Sequence, residues 1–259
     1  MIKQLDNRQA KGLLLLAVFA IATISLFFLD PIAQDLSYHH FSDCRTYFGV
    51  AHFMDVTSNI PFLVVGFIGV RLIQKSYKKY TPSYFIKLFI LFSGVFLTGL
   101  GSAFYHYNPN NFTLIFDRLP MTFVFTSLFA IIISDYVDRR VGAWVFYLFL
   151  MVGVYSIFYW YYTEIIGVGD LRLYAFVQFF PIVCIPLILV VYRSNKLYRK
   201  ELIYVFTAYI VAKVFEHFDV LIYNFTGFIS GHTIKHLISA TAIYLMYRMI
   251  CKNSKALSR

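Results

Sequence analysis

Eight stretches of about twenty mostly apolar residues, near 12–29, 57–74, 86–106, 115–134, 142–161, 172–192, 201–223 and 232–250, run the length of this chain. Roughly 30 Å of hydrocarbon crossed at about 1.5 Å per residue calls for segments of this length. The stretches are continuously apolar rather than alternating, so they read as helices that satisfy their own backbone hydrogen bonds, not as barrel strands. With 59% hydrophobic and only 14% charged residues, too little polar sequence remains for a separate soluble domain. The expected fold class is an all-α integral membrane protein. Short loops and the lack of any internal repeat make residues 1–259 one membrane domain.

The formal net charge of +10 raises nucleic acid as a partner until the basic residues are placed. Of 23 Lys and Arg, 18 fall before the first stretch, in 71–87, at Arg139 and Arg140, in 193–200 and from Arg248 onward, which are alternate loops. That is the positive-inside pattern: it assigns both termini to the cytoplasm and excludes nucleic acid as the reason for the charge. Lys3, Arg8 and Lys11 ahead of the first stretch also resemble a secretory signal, with Ala20 and Ala22 spaced as a cleavage pair. The apolar run exceeds the 7–15 residues of a signal core, which favours a retained anchor helix over 1–30. Cys44, Cys184 and Cys251 lie in an outer loop, a span and the tail, so they form neither a disulfide framework nor a CxxC motif.

In this topology the ionisable residues of the spans collect at one depth, near the outer face. Ser102 and His106 close the third span and Asp117 and Arg118 open the fourth. Glu216, His217 and Asp219 lie in the outer part of the seventh, His232, Lys235 and His236 open the eighth, and Ser58 and Asn59 open the second. Ionisable groups in a membrane cost roughly 2.5–3.5 kcal/mol each, so one shared polar pocket is favoured over separate lipid-facing charges. Positions four apart share a helix face, which pairs His232 with His236 and Ser102 with His106. Two imidazoles one turn apart, with His106 as a third, have the three-ligand pattern of catalytic zinc.

A plainer account is available for each element. HxxxH alone is a weak motif, and His39, His40 and His217 fit structural or solvated roles better than ligation. Asp117 and Arg118 also fit a helix N-terminal carboxylate beside a snorkelling cation. Glu216 and Asp219 equally suit ion pairs with Lys213 or Lys235.

Six ordered motifs go beyond HxxxH: Asp43-Cys-Arg45, TSNIPF at 57–62, GLGSAFYH at 99–106, DRLPM at 117–121, KVFEHFD at 213–219 and SGHTIKHL at 230–237. Together they resemble the alkaline ceramidase family, particularly its prokaryote-type members, in a superfamily shared with the adiponectin and progestin receptors. The resemblance covers about 43–250. It implies a seven-helix core, to which the N-terminal helix adds an eighth span.

What the resemblance implies chemically is a zinc-dependent intramembrane amidase. His106, His232 and His236 would hold Zn2+, with Ser102 and Asp117 beside a zinc-bound water. Asp117 would move the proton and Ser102 would stabilise the oxyanion. Glu216, Asp219, Ser58, Asn59 and Arg118 would orient the site. The substrate would be a ceramide-like membrane lipid, split into a fatty acid and a sphingoid base, reached from the periplasmic, extracellular or lumenal face. Eukaryotic members also carry a calcium site built from an acidic and amide cluster. Here DCRTYFGVAHFMD offers only Asp43 and Asp55, so calcium is doubtful. A lipid-responsive receptor of the same superfamily and, less favoured, a transporter are the alternatives.

Overall fold

A computed structural model describes residues 7–192 and 199–256. Lys3, Arg193, Lys196 and Arg259 of the basic-residue pattern lie outside the described residues. The described chain is helical, with a single isolated bridge between Tyr47 and Val50. In order, the helices are α1 (Asn7–Phe28), α2 (Phe53–Thr57), α3 (Ile60–Lys75), α4 (Pro82–Tyr107), α5 (Asn111–Tyr136), α6 (Arg139–Ile165), α7 (Arg172–Val191), α8 (Arg199–His217), α9 (Asp219–Thr226) and α10 (Gly231–Ala256).

Six spans are long and apolar enough to cross a membrane, from α1, α2 with α3, α4, α5, α6 and α7. This is a multi-pass membrane protein. Helices α8 with α9, and α10, fill the last two of the eight windows read from the sequence. They carry Lys213, Glu216, Lys235 and Arg248 among their apolar residues, which keeps them out of that set. The lipid-facing character of the rest is visible in α1, where Leu16, Ile21, Phe27 and Phe28 are exposed.

Two windows are broken where polar side chains capture backbone groups. Between α2 and α3 the Ser58 hydroxyl and the Asn59 amide both donate to the Asp55 carbonyl, at 2.9 and 2.8 Å. Pro61, in the first turn of α3, has no N–H to continue the ladder. The seventh window turns at Phe218, and Asp219 just beyond it accepts from the His232 backbone N–H at 2.7 Å and the Ser42 hydroxyl at 2.6 Å. Each break therefore sets a polar residue against the end of a neighbouring helix.

The α4–α5 hairpin fixes the distance between two of the expected site residues. Its turn is short because Asn110 and Thr113 form a reciprocal capping box at the start of α5. Below it the helices approach closely at Gly101, where an added Cβ would lie 1.8 Å from the Phe116 carbonyl oxygen. Pro120 supplies no N–H to that carbonyl, the one four residues before it. Gly101→Ala is expected to push α4 and α5 apart and to destabilise the protein by about 1–3 kcal/mol, seen as a lowered thermal midpoint in detergent. An unchanged midpoint would mean the contact is slack.

Packing places the core on the inner side of the site. Leu91, Phe92, Phe129, Ile132, Ile188 and Met246 belong to the main cluster, contributed by α4, α5, α7 and α10. A second cluster of Phe41, Tyr105, Leu114, Trp160 and Tyr174 sits beside His106. Helix α10 packs on α8 and α3, and α4 packs on α3 and α5. Helix α1 lies against α7, held where the Arg172 guanidinium donates to the carbonyls of Leu26 and Leu29. Leu171 donates its backbone N–H to Ile32 at 2.8 Å. Hydrogen bonds from Arg172 hold the Asp170 carboxyl below the usual carboxylate range, so this clasp stays charged at neutral pH.

Candidate metal centre

His106 at the C-terminal end of α4 and His232 and His236 in the first turns of α10 are all buried, at 1%, 5% and 4% exposure. One nitrogen from each ring lies within 4.8 Å of the other two, the one such His, Cys, Asp and Glu cluster among the described residues. His106 Nε2 and His232 Nε2 are 3.2 Å apart. Ligand nitrogens about 2.0–2.1 Å from a tetrahedral ion stand about 3.3 Å from each other, so this spacing fits one shared cation. The ring of Phe41 closes the outer side, with centroids 4.5 Å from His106 and 4.9 Å from His232.

Hydrogen bonding sets the tautomers that ligation needs. Ser58 has one hydroxyl proton, which it donates to the Asp55 carbonyl, so toward His236 Nδ1, 2.8 Å away, it accepts. His236 is therefore protonated on Nδ1 and keeps its Nε2 lone pair free. Lys235 Nζ, a donor only, lies 3.0 Å from His232 Nε2, so that nitrogen also carries a lone pair. His106 Nδ1 is buried without a partner. Ser58→Ala is expected to weaken metal affinity about ten- to a hundredfold, the usual effect of losing a ligand's outer partner. Competition with a chromogenic chelator measures it, and unchanged affinity would remove Ser58 from the metal's support.

Two residues hold α10 in place for its histidines. Ser230 accepts from the Thr233 N–H at 2.9 Å, and Asp55 accepts from the Thr233 and Ser230 hydroxyls at 2.6 and 3.2 Å. The sequence presents Asp55 only as a carboxylate before the core, and Ser230 and Thr233 only as members of SGHTIKHL, without this support role. The Ser-x-x-Thr capping pattern ahead of an apolar run was the available signal. Phe41, which covers the rings, carried none.

The other expected residues divide. Ser102 is hydrogen-bonded to Asp117 across the α4–α5 interface, and both line a cavity of about 370 Å³ that also exposes His236. Glu216 binds Lys213 at 2.5 Å and Lys235 at 3.0 Å, and so reaches the histidines only through Lys235. Asp219 touches no imidazole ring and pairs with neither lysine, but holds the His232 backbone. Asn59 is spent on the Asp55 carbonyl. Arg118 is hydrogen-bonded elsewhere, with Nη2 donating to Gln34 at 2.6 Å. His39 is structural, bonded to Tyr105 and Asn111 at 2.9 Å each. Asp43 is taken by Arg45 at 2.6 Å, and Oδ1 of Asp55 by the Thr233 and Ser230 hydroxyls.

Residues 43–256 match the ceramidase family model. The chain belongs to the ceramidase family. Comparison with curated proteins finds no match. Membership makes this ceramidase a hydrolase acting on the amide bond of ceramide, and the histidine cluster, the Ser102–Asp117 pair and every residue of the cavity wall except Tyr38 lie within the matched residues. Of the first helix, α1, nothing falls in the match.

Proposed function

We propose that this ceramidase is a zinc-dependent intramembrane amide hydrolase that splits ceramide-like lipids into a fatty acid and a sphingoid base. Its site would lie toward the outer face, with both termini in the cytoplasm. The observation that carries the reading is the convergence of three buried histidine nitrogens on one point beside a hydrogen-bonded carboxylate. An all-imidazole donor set suits zinc over calcium or magnesium, which take oxygen ligands. Bound there by His106, His232 and His236, zinc would supply Lewis acidity to the amide carbonyl and to water.

The protein side chains do the rest. Asp117 takes a proton from the attacking water and returns it to the leaving nitrogen, since amines leave poorly unless protonated. Ser102 now donates to Asp117. When Asp117 takes up its proton it no longer needs that donor, and the Ser102 hydroxyl is freed for the carbonyl oxygen as charge develops there. The apolar cavity runs from Asp117 to Ile132, fifteen residues or about 22 Å along α5, and takes the acyl chain at roughly 0.8 kcal/mol per buried CH2.

Purified protein incubated with ceramide is expected to release fatty acid, to stop on chelation and to recover with zinc. Activity on O-acyl but not N-acyl lipids, or activity indifferent to chelation, would sink the reading. Coupled uptake into proteoliposomes without hydrolysis would favour a transporter.

A further inference from the structure

Five charged side chains line the cavity: Asp117 and Glu216 against Arg118, Lys213 and Lys235. Both lysines rest on Glu216, and Asp117 is held by Ser102. Together the five carry one net positive charge, and Arg118 feels its sequence neighbour Asp117 only through space. No carboxylate lies within ion-pair reach of Arg118 among the described residues. Arg118 is 7% exposed, its Nη1 is buried without a hydrogen-bond partner, and its Nη2 reaches only the neutral Gln34 amide. The rings of Trp160, Tyr174 and Tyr38 stand 4.6, 4.9 and 5.5 Å from the guanidinium.

A cation–π box of this kind offsets part of the burial cost of the charge, but offers no counterion. If its task were only to fasten the segment around Gln34, a neutral donor would serve. A guanidinium that forms part of the cavity wall instead leaves the counterion to be brought by what enters. Its position says which end of that molecule. The apolar wall leads from Asp117 inward to Ile132, whereas Arg118 sits among Gln34, Tyr38, Trp160 and Tyr174 at the outer ends of α6 and α7. The acyl chain goes one way, and the amine-side group is left on the side of Arg118.

We propose that Arg118 forms a subsite for a carboxylate on the amine side of an N-acyl lipid, which makes N-acyl amino acids a further substrate class; this rests on the amide-hydrolase reading above. In the reaction one water adds across the amide. The carbonyl carbon gains an oxygen, the C–N bond breaks, and the proton passes to the nitrogen, giving a fatty carboxylate and a free amino acid.

N-oleoylglycine and N-oleoylethanolamine share an acyl chain and differ in carrying a carboxylate or a hydroxyl, so they isolate the contact. The sequence has two tryptophans, and Trp144→Phe leaves Trp160, against Arg118, as the emitter for ligand titrations. In the zinc-loaded full-length protein N-oleoylglycine is expected to bind at least about tenfold tighter, as a charge-assisted hydrogen bond provides, with the difference carried by KM rather than kcat. Arg118→Gln is expected to bring the two ligands within about twofold of each other, and Arg118→Lys to restore part of the gap. Equal binding of the pair by the protein with Arg118 intact overturns the subsite with no variant needed. So does an unchanged preference in Arg118→Gln, while hydrolysis of either lipid in those cases leaves the amidase reading standing. Arg118-dependent binding of N-oleoylglycine without release of oleate, while ceramide is still split, overturns N-acyl amino acids as substrates but not the amidase reading, which only failure to split ceramide sinks.

Discussion

His232→Ala is expected to lower bound zinc from about one ion per chain to near none, and to abolish fatty acid release, because a site of three protein ligands rarely survives as two. The change is local. Asp219 holds the backbone N–H of His232, not its ring, and Ser230 still caps α10, so the helix keeps its start. What goes is one nitrogen 3.2 Å from His106 Nε2 and the surface under Phe41. Metal analysis after gel filtration, together with a thermal midpoint, separates loss of metal from loss of fold. Full zinc occupancy in a folded His232→Ala protein would exclude this nitrogen as a ligand and leave the cluster a hydrogen-bonded core feature.

Asp117→Asn should give the opposite pairing of results: zinc retained, turnover reduced about 10²- to 10⁴-fold, the usual share of general acid–base catalysis. The amide is nearly the same shape as the carboxylate and still accepts from Ser102, so neither the α4–α5 contact nor the histidines need move. It cannot take up the proton that the leaving nitrogen requires. Turnover at the ordinary rate in the variant would show that another group moves the proton. Glu216 is poorly placed for that, since both its oxygens already hold lysines.

The site was legible in the sequence where chemistry and helix period coincide. His232 and His236 announce themselves four apart, and His106 and Asp117 are joined by a turn too short to separate them. The sequence groups Ser58 with the histidines, but its bond to His236 spans 178 positions, and only packing decides such a bond. Asp219 illustrates a limit of reading charge alone. The sequence offered it an ion pair or a histidine, and the fold used it on a backbone N–H at the point where α8 ends. The breaks at Ser58–Asn59 and Phe218 were hidden inside apolar windows because hydropathy averages over the few residues that interrupt a helix. Arg118 was the least legible, since its neighbours Gln34, Trp160 and Tyr174 come from three remote segments. The clasp of Arg172 on α1 escaped for the same reason.

The close approach at Gly101 has a bearing on how such a chain can vary. One partner lacks a side chain and the other, through Pro120, lacks a donor, and each omission accommodates the other at the Phe116 carbonyl. Positions 101 and 120 are therefore expected to drift together among natural variants, and paired substitutions there to depart from additivity, as contacting sites do. Asp117 follows Phe116 directly, so any such exchange is made within one residue of the proton carrier and is bound to be tolerated only where that carboxylate keeps its aim.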